Sequence, residues 1–366
     1  PDGGAGTVFL RGPASTLGSL RIDNGDLLGQ PTVLPPLGGG TAQAQSSGSS
    51  LFTGVPGSIP PYFVGRRVEV RREGSLVGAW SIGSIEGNVL HLLSNGQEPA
   101  DVQPGDSWQG VYSFDSLYVG GGAVLHSADP IRVAHATLGR SSGAGTFTDL
   151  PFVLEADQVD IAGNVSVRGV SASSMTVMAG ATLTHVPMTS AASGGLDIRV
   201  SGTLTIEGDG SIDVTGRGLP GISSQTELAG SHIGLASASA SAFGSVYHPK
   251  ESGGAGSGWY PSPGGGVVRI RAATLSMVSP TSSIRADGGS GTYPYYHEMA
   301  GGGGSVWITA SAISGDGSIS ARGGEGSGSG GGGAVAIEYE SSTGTVLSHV
   351  DARQGGSGAG AGTVFL

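Results

Sequence analysis

The fold is decided by two segments, Gly303-Gly304-Ser305-Val306-Trp307-Ile308 and Gly332-Gly333-Ala334-Val335-Ala336-Ile337. In each, a short glycine-rich segment, which we call the lead, precedes alternating apolar residues. Related segments occur at 265–270 and 361–366, and the last two steps between corresponding valines are 29 residues each. Alternation with a period of two is typical of a short β-strand with one buried face. The sequence therefore predicts short strands that recur at a fixed interval.

Each repeat has a second half. Ile284-Arg285-Ala286-Asp287-Gly288-Gly289 matches 319–324, with a weaker copy at 350–355 and an earlier relative at 212–217. The closing glycines predict turns with a positive φ angle. Two or three strands in 29 residues predict one coil of a β-solenoid, hydrogen-bonded to the next coil about 4.8 Å away. A single coil cannot bury its own apolar face, so each coil requires neighbours.

The composition supports an all-β fold rather than a disordered chain. Glycine supplies 71 of 366 residues, about three times its usual share. Charged residues make up only 12%, whereas hydrophobic residues make up 37%. A disordered chain is poor in valine and isoleucine and rich in net charge. No segment shows the pattern of an amphipathic helix, and the prediction is all-β.

The charge excludes some classes of function. The net charge is −11, and the chain has no face rich in lysine and arginine with which to neutralise phosphates, so we expect no nucleic-acid partner. The small cluster Arg66, Arg67, Arg71 and Arg72 is predicted to form a solvated strand edge. No apolar run approaches the roughly 18 residues of a membrane-spanning helix. The sequence contains no cysteine.

The regular recurrence of strands is interrupted, and the interruption divides the chain into units. Residues 51–115 hold short strands of another character, punctuated by Asn-Gly and Glu-Gly turns, and resemble a small β-barrel or meander. We predict these units: a first solenoid coil at 1–28, a Pro/Gly/Ser-rich linker at 29–50, the inserted β-rich module at 51–115, and a β-solenoid at 116–366 with long loops at 217–264 and 288–302.

The segment Gly4-Ala5-Gly6-Thr7-Val8-Phe9-Leu10 is repeated letter for letter at 360–366, an offset of 356 residues. We therefore interpret the chain as one period of a tandem array. An apolar strand at an open sheet edge invites another strand to pair with it. The predicted partner is another copy of this unit, stacked head to tail through these edge-strand residues: Thr7, Val8, Phe9, Leu10, Thr363, Val364, Phe365 and Leu366.

The pattern resembles the Gly-rich repeats of large, exported bacterial surface proteins. Gly302 to Ala310, followed by Gly315 to Gly324, carry the resemblance, together with the loop motifs Gly230-Ser231-His232 and Gly244-Ser245. It covers residues 196–366 and the first 25, and does not extend to 51–115. The resemblance implies an extracellular or cell-surface location, β-helical stacking, and a role in adhesion or matrix. It implies no catalytic residues.

Two other chemistries compete with a structural role. Asp160, Asp197 and Asp213 lie on predicted strands, where they are either outward surface residues or the carboxylates of a polysaccharide-degrading enzyme. Glu207-Gly208-Asp209-Gly210 and Gly315-Asp316-Gly317 are similar to calcium-binding turns, but the spacing is not sustained. We therefore expect no cofactor, with calcium as the one metal that the pattern leaves open.

Five aromatic residues in the predicted loops are either a contact for a ligand or a second protomer, or a cluster that packs on itself: Trp259, Tyr260, Tyr293, Tyr295 and Tyr296.

The sequence thus predicts a structural, non-enzymatic repeat unit of an extracellular fibre or surface layer. The alternative is an adhesin that binds surface glycans through the inserted module or the loop aromatics, and a third possibility is the polysaccharide-degrading enzyme.

Overall fold

A computed structural model describes residues 3–94, 98–140, 146–189, 194–224, 226–238, 240–291 and 298–366. Almost all of its regular structure is β-strand. The helical segments of these ranges are two short 3-10 turns, Pro61–Phe63 and Val346–His349. Neither approaches the length or apolarity of a membrane-crossing helix. The prediction of an all-β chain is confirmed.

The strands are numbered along the chain. The first nine are β1 (Thr7–Leu10), β2 (Ser19–Asp23), β3 (Thr32–Leu34), β4 (Gly39–Thr41), β5 (Ser50–Phe52), β6 (Arg67–Arg72), β7 (Ser75–Glu86), β8 (Val89–Leu93) and β9 (Ser107–Gly120). The next seven are β10 (Leu125–Ser127), β11 (Ile131–Leu138), β12 (Thr148–Ile161), β13 (Asn164–Val177), β14 (Thr182–Thr184), β15 (Leu196–Ile206) and β16 (Ser211–Asp213). Three short ones follow: β17 (Ile222–Ser223), β18 (Ser257–Gly258) and β19 (Tyr260–Pro261). The last eight are β20 (Val267–Met277), β21 (Ser283–Arg285), β22 (Glu298–Met299), β23 (Ser305–Gly315), β24 (Ser318–Ser320), β25 (Ala334–Gly344), β26 (Val350–Asp351) and β27 (Thr363–Phe365).

Ten of the described strands pair side by side in parallel and form the first ladder. In order, they are β2, β9, β11, β12, β13, β15, β20, β23, β25 and β27. Corresponding residues of the repeats face one another, since Val306 pairs with Val335 and Val335 with Val364. The 29-residue spacing is therefore the step from one strand to its neighbour, and the predicted register of the repeats is confirmed.

A second ladder is formed by the shorter strands, which lie between the long strands in sequence. In this ladder β13 pairs with β14, and the series continues through β16, β21, β24 and β26, all in parallel. Ile212, Ile284, Ile319 and Val350 stand in one row. The ladders belong to a large, mostly parallel sheet that does not close on itself.

The main hydrophobic core contains side chains of both ladders. Ile270, Ile308 and Ile337 from the first ladder and Ile284 and Ile319 from the second are at most 1% exposed and belong to one buried cluster. Full burial of an isoleucine side chain contributes roughly 1.5–3 kcal/mol. The alternating apolar residues of the sequence are therefore the residues that join the two ladders.

A separate antiparallel region lies between β2 and the second half of β9 along the chain. Its strands are β4 to β8 and the first half of β9. It has its own buried cluster, which includes Val68, Trp80, Leu90 and Trp108. The second half of β9 continues into the first ladder. The segment predicted as a linker, 29–50, contains β3 and β4.

The glycines that close the short strands have two different roles. Gly216 has a φ of 62°, as predicted for a turn. Gly288 and Gly323 do not have a positive φ, so the expectation is wrong for these two. A Cβ atom at Gly288 would lie against the carbonyl oxygen of Gly301, and one at Gly323 against that of Gly330. These glycines are required because neighbouring backbone segments approach too closely for a side chain.

Candidate functional site

The first copy of the repeated heptapeptide forms an exposed edge strand. β1 runs antiparallel to β2, with Thr7 opposite Ile22 and Leu10 opposite Ser19. All four residues of β1 are exposed, and Leu10 retains 65% of its surface. The Phe9 ring lies 6.4 Å from the ring of Phe114, centre to centre. β1 therefore covers the outer edge of β2 without being buried itself.

A hydrogen-bonded turn holds β1 in this position. The turn between β1 and β2 is fixed by Asp115, whose carboxylate accepts hydrogen bonds from the Ser15 hydroxyl at 2.6 Å and from the Leu17 and Gly18 N–H groups at 3.0 Å. The hydrogen bond from the Ser15 hydroxyl lowers the pKa of Asp115. The carboxylate therefore stays ionised and continues to accept the hydrogen bonds of the turn.

The second copy forms the last strand of the first ladder. β27 runs parallel to β25, with Thr363 opposite Ala334 and Phe365 opposite Ala336. The Thr363 N–H donates to the Gly333 carbonyl at 3.0 Å. The Phe365 ring contacts Tyr247 edge-on at 5.1 Å between centres. The other edge of β27 has no strand partner within the described part of the chain.

The two copies of one sequence thus make different pairings, antiparallel at one end and parallel at the other. Both keep apolar side chains in solvent: Val8 is 52% exposed and Val364 is 43% exposed. The prediction that another copy of this unit stacks head to tail through these strands concerns the assembly and stays a prediction.

The predicted aromatic contact is described only in part. Trp259 is 70% exposed and Tyr260 is 44% exposed. Tyr260 lies on β19, which pairs in parallel with β22. Tyr293, Tyr295 and Tyr296 lie outside the described residues. Trp259 is therefore available to a ligand or partner in the described structure.

A cleft lies between the antiparallel region and the strands near β1. Its volume is about 860 Å³, and its walls include Phe9, Tyr62, Trp80, Tyr112 and Phe114. Tyr62 is 67% exposed. The cleft brings aromatic residues of the predicted inserted module to the edge of the first ladder.

The candidate carboxylates all have neighbours. Asp160 lies 2.8 Å from His135, Asp197 lies 2.7 Å from Arg199, and Asp213 lies 2.6 Å from Arg285. Asp160 and Asp213 pair with residues of adjacent strands, and Asp197 pairs with a residue of its own strand.

The aspartates of the calcium-like turns also bond to a neighbouring turn. Asp209 accepts a hydrogen bond from the Gly180 N–H at 2.6 Å, and Asp316 accepts one from the Thr345 N–H at 3.0 Å. Among the described residues no three acidic, histidine or cysteine side chains form a group that could hold a metal ion.

Sequence reasoning missed a groove of about 940 Å³, which we call the mid-strand groove. Three rows of residues, one residue per strand, line it. The first row is Arg132, Glu155, Ser171, Arg199, Arg271, Thr309 and Glu338. The second row is Val133, Ala156, Ala172, Val200, Ala272, Ala310 and Tyr339. The third row is Asp157, Ser173, Ser201, Ala273, Ser311 and Glu340.

Shifts in the pairing register accompany part of the groove. The pairing register shifts after Leu150 in β12, after Ala172 in β13 and after Val200 in β15, and the last two shifts lie at the groove. Small residues at these points form the floor. The signal in the sequence is an Ala or Ser in the middle of five of these strands, β12, β13, β15, β20 and β23, and it can be recognised only when the register is known.

Comparison with known proteins gives no relative: no family model, no curated protein and no solved structure matches this chain.

Proposed function

We propose that this chain is a structural repeat unit of an extracellular fibre or surface layer, built as a β-solenoid that stacks head to tail. The observation that carries the proposal is the position of β27. It extends the first ladder by one further strand in the established 29-residue register, and its outer edge is unpaired in the described structure. A second unit could continue the ladder from that edge.

The alternation of the two ladders supports the solenoid. Along the chain, β20, β23 and β25 of the first ladder are each followed by β21, β24 and β26 of the second. Both ladders are parallel, so the chain must return to the same side after every pass. We interpret each pass as one coil, and about nine or ten coils at about 4.8 Å each give a unit of roughly 40–50 Å.

The proposed role is mechanical rather than catalytic. Continuous ladder hydrogen bonds would stiffen the fibre along its axis, and the glycine-lined close approaches would let the coils pack tightly. The extracellular location rests on the resemblance of the Gly-rich repeats to those of exported surface proteins.

Electron microscopy of the purified protein tests the proposal. We expect unbranched filaments with an axial repeat of roughly 40–50 Å, since each unit would add its own coils to the stack. Compact single particles at every protein concentration, with a monomer mass in light scattering, would overturn it.

A variant at the open edge makes the test specific. Alternate residues of a parallel strand direct their N–H groups to opposite sides. The Thr363 N–H points to β25, so the Val364 N–H points to the open edge. Val364→Pro removes that donor and should shorten or abolish the filaments while leaving the thermal unfolding temperature unchanged. Val364→Ala keeps the N–H and is the matched control; equal loss in both variants would contradict pairing through this strand.

A further inference from the structure

The mid-strand groove crosses seven consecutive strands of the first ladder, from β11 to β25. At the spacing of paired strands it is roughly 29 Å long. Its floor is mostly small and apolar, since four of its seven residues are alanines: Ala156, Ala172, Ala272 and Ala310. The shape is that of a long channel for an extended polymer rather than a pocket for a compact ligand.

The centre of the groove carries an excess of positive charge. Arg199 and Arg269 share a single carboxylate, Asp197, at 2.7 Å and 3.6 Å. Arg271 has no carboxylate within ion-pair distance among the described residues; its guanidinium lies 5.7 Å from the centre of the Trp307 ring. Of these residues, Arg199 and Arg271 line the mid-strand groove, so its centre has two guanidinium groups and no lining carboxylate, in a chain whose net charge is −11.

Two of these charges oppose each other directly. Arg199 and Arg271 are register partners on β15 and β20, and both are exposed on the groove wall. Like charges in directly paired positions are unfavourable. An anion between them would turn this repulsion into two charge-assisted hydrogen-bonding sites.

Five other wall residues carry hydroxyl groups, which can bond to the hydroxyl groups of a ligand. Ser171, Ser173, Ser201, Thr309 and Ser311 line the same central stretch. Each hydroxyl can both donate and accept. The spacing of one lining residue per strand, about 4.8 Å, is close to the length of one pyranose unit in an extended chain.

We infer that the mid-strand groove binds a linear glycan that carries carboxylate groups, such as a polymer containing uronic acids. One carboxylate sits between Arg199 and Arg271, neighbouring sugar hydroxyls bond to the serine and threonine walls, and Trp307 flanks the site.

Two other polymers fit less well. An extended peptide would gain affinity from backbone pairing, but the backbone groups of these strands already bond to neighbouring strands. A nucleic acid has a phosphate at every residue, whereas Glu155 and Asp157 at one end of the groove and Glu338 and Glu340 at the other would repel a continuous row of charges.

Isothermal titration calorimetry with a hyaluronan oligosaccharide, in which glucuronic acid alternates with a neutral sugar, tests the inference. The wild-type protein should bind it at least roughly ten-fold more tightly than a cello-oligosaccharide of equal length, because the neutral chain leaves the arginines unpaired. Arg271→Gln should weaken hyaluronan binding roughly ten-fold. Arg168→Gln, which removes the same charge from an exposed position of β13 outside the groove, is the matched control and should bind as the wild type does.

Four outcomes would overturn the inference: no binding of the hyaluronan oligosaccharide by the wild type, equal affinity for the neutral chain, unchanged binding by Arg271→Gln, or equal binding of polyglutamate or an oligonucleotide. The last would mean recognition of charge alone. The groove lies within one chain, so this result is independent of whether the units form filaments.

Discussion

Arg66 shows how one residue can differ from its sequence context. It belongs to a cluster predicted to be solvated, yet its side chain is only 6% exposed and forms an ion pair with Asp129, which is 2% exposed. Asp129 also accepts a hydrogen bond from the Leu37 N–H at 2.6 Å. The Arg66 guanidinium lies 3.6 Å from the centre of the Tyr112 ring. The prediction was wrong for Arg66, because a carboxylate 63 residues away compensates its burial.

Removal of the Asp129 carboxylate should leave the positive charge of Arg66 buried and unpaired. We expect Asp129→Ala to lower the free energy of unfolding by about 3–5 kcal/mol, measured by urea denaturation followed by tryptophan fluorescence. Asp101→Ala is the control, since Asp101 is 61% exposed in its pair with Arg72. A surface pair of this kind contributes about 1 kcal/mol or less. Similar losses in the two variants would show that the Arg66–Asp129 pair does not stabilise the fold.

At the scale of the elements, the glycine-rich leads permit the close stacking of segments that enter the first ladder. Gly303 precedes β23, and its φ is not positive. A Cβ atom there would press on the carbonyl oxygen of Ala321 and lie 2.6 Å from the amide nitrogen of Gly333. Both neighbours are backbone atoms in segments that connect the ladder strands, so neither can move aside without a cost in free energy. The lead is therefore glycine for reasons of space.

We expect Gly303→Val to destabilise the fold by about 3 kcal/mol or more, because overpacking against backbone forces neighbouring strands apart. The measurement is the thermal unfolding temperature by circular dichroism. Gly12→Val serves as the control, since nothing lies within 4 Å of the Cβ position at Gly12. If both variants melt at the same temperature, the close approach at Gly303 is not a constraint on the sequence.

At the scale of the whole molecule, net charge governs how units approach one another sideways. The chain carries −11 at pH 7, and its isoelectric point is about 5.1. Burial lowers the pKa of His185 and His232, so these two stay neutral on mild acidification. Burial raises the pKa of Asp149 and Asp287, so these carboxyls take up protons early as the pH falls. Proton uptake moves the net charge towards zero and weakens the repulsion.

Light scattering at constant protein concentration should therefore rise as the pH falls from 7 and reach a maximum near pH 5. At pH 7, about 1 M salt should have a similar effect, because it shortens the Debye length to about 3 Å. The Val364→Pro variant distinguishes lateral association of units from end-to-end association, because only end-to-end association uses the edge of β27. Scattering that does not change with pH or salt would contradict a role of net charge.

The strand type and register could be read from the sequence, because both depend on local pattern. Alternating Val306, Trp307 and Ile308 favour a strand with one buried face, and the 29-residue spacing predicted which strands pair. The short strands containing Ile284 and Ile319 were likewise aligned correctly. These features need only the residue types and their intervals.

Other features required the tertiary structure. The direction of β1 depends on the turn that Asp115 holds, and that carboxylate lies about one hundred residues away in sequence. The burial of Arg66 depends on Asp129, and the mid-strand groove depends on Arg199 and Arg271 arriving at neighbouring positions on different strands. Sequence by itself determined the β-strand character of the chain and which strands of the C-terminal repeats pair, because those follow from periodicity. Only the tertiary structure decided the orientation of the edge strand, the pairing of the buried charges and the lining of the groove, because each is a contact between segments whose separation no local pattern encodes.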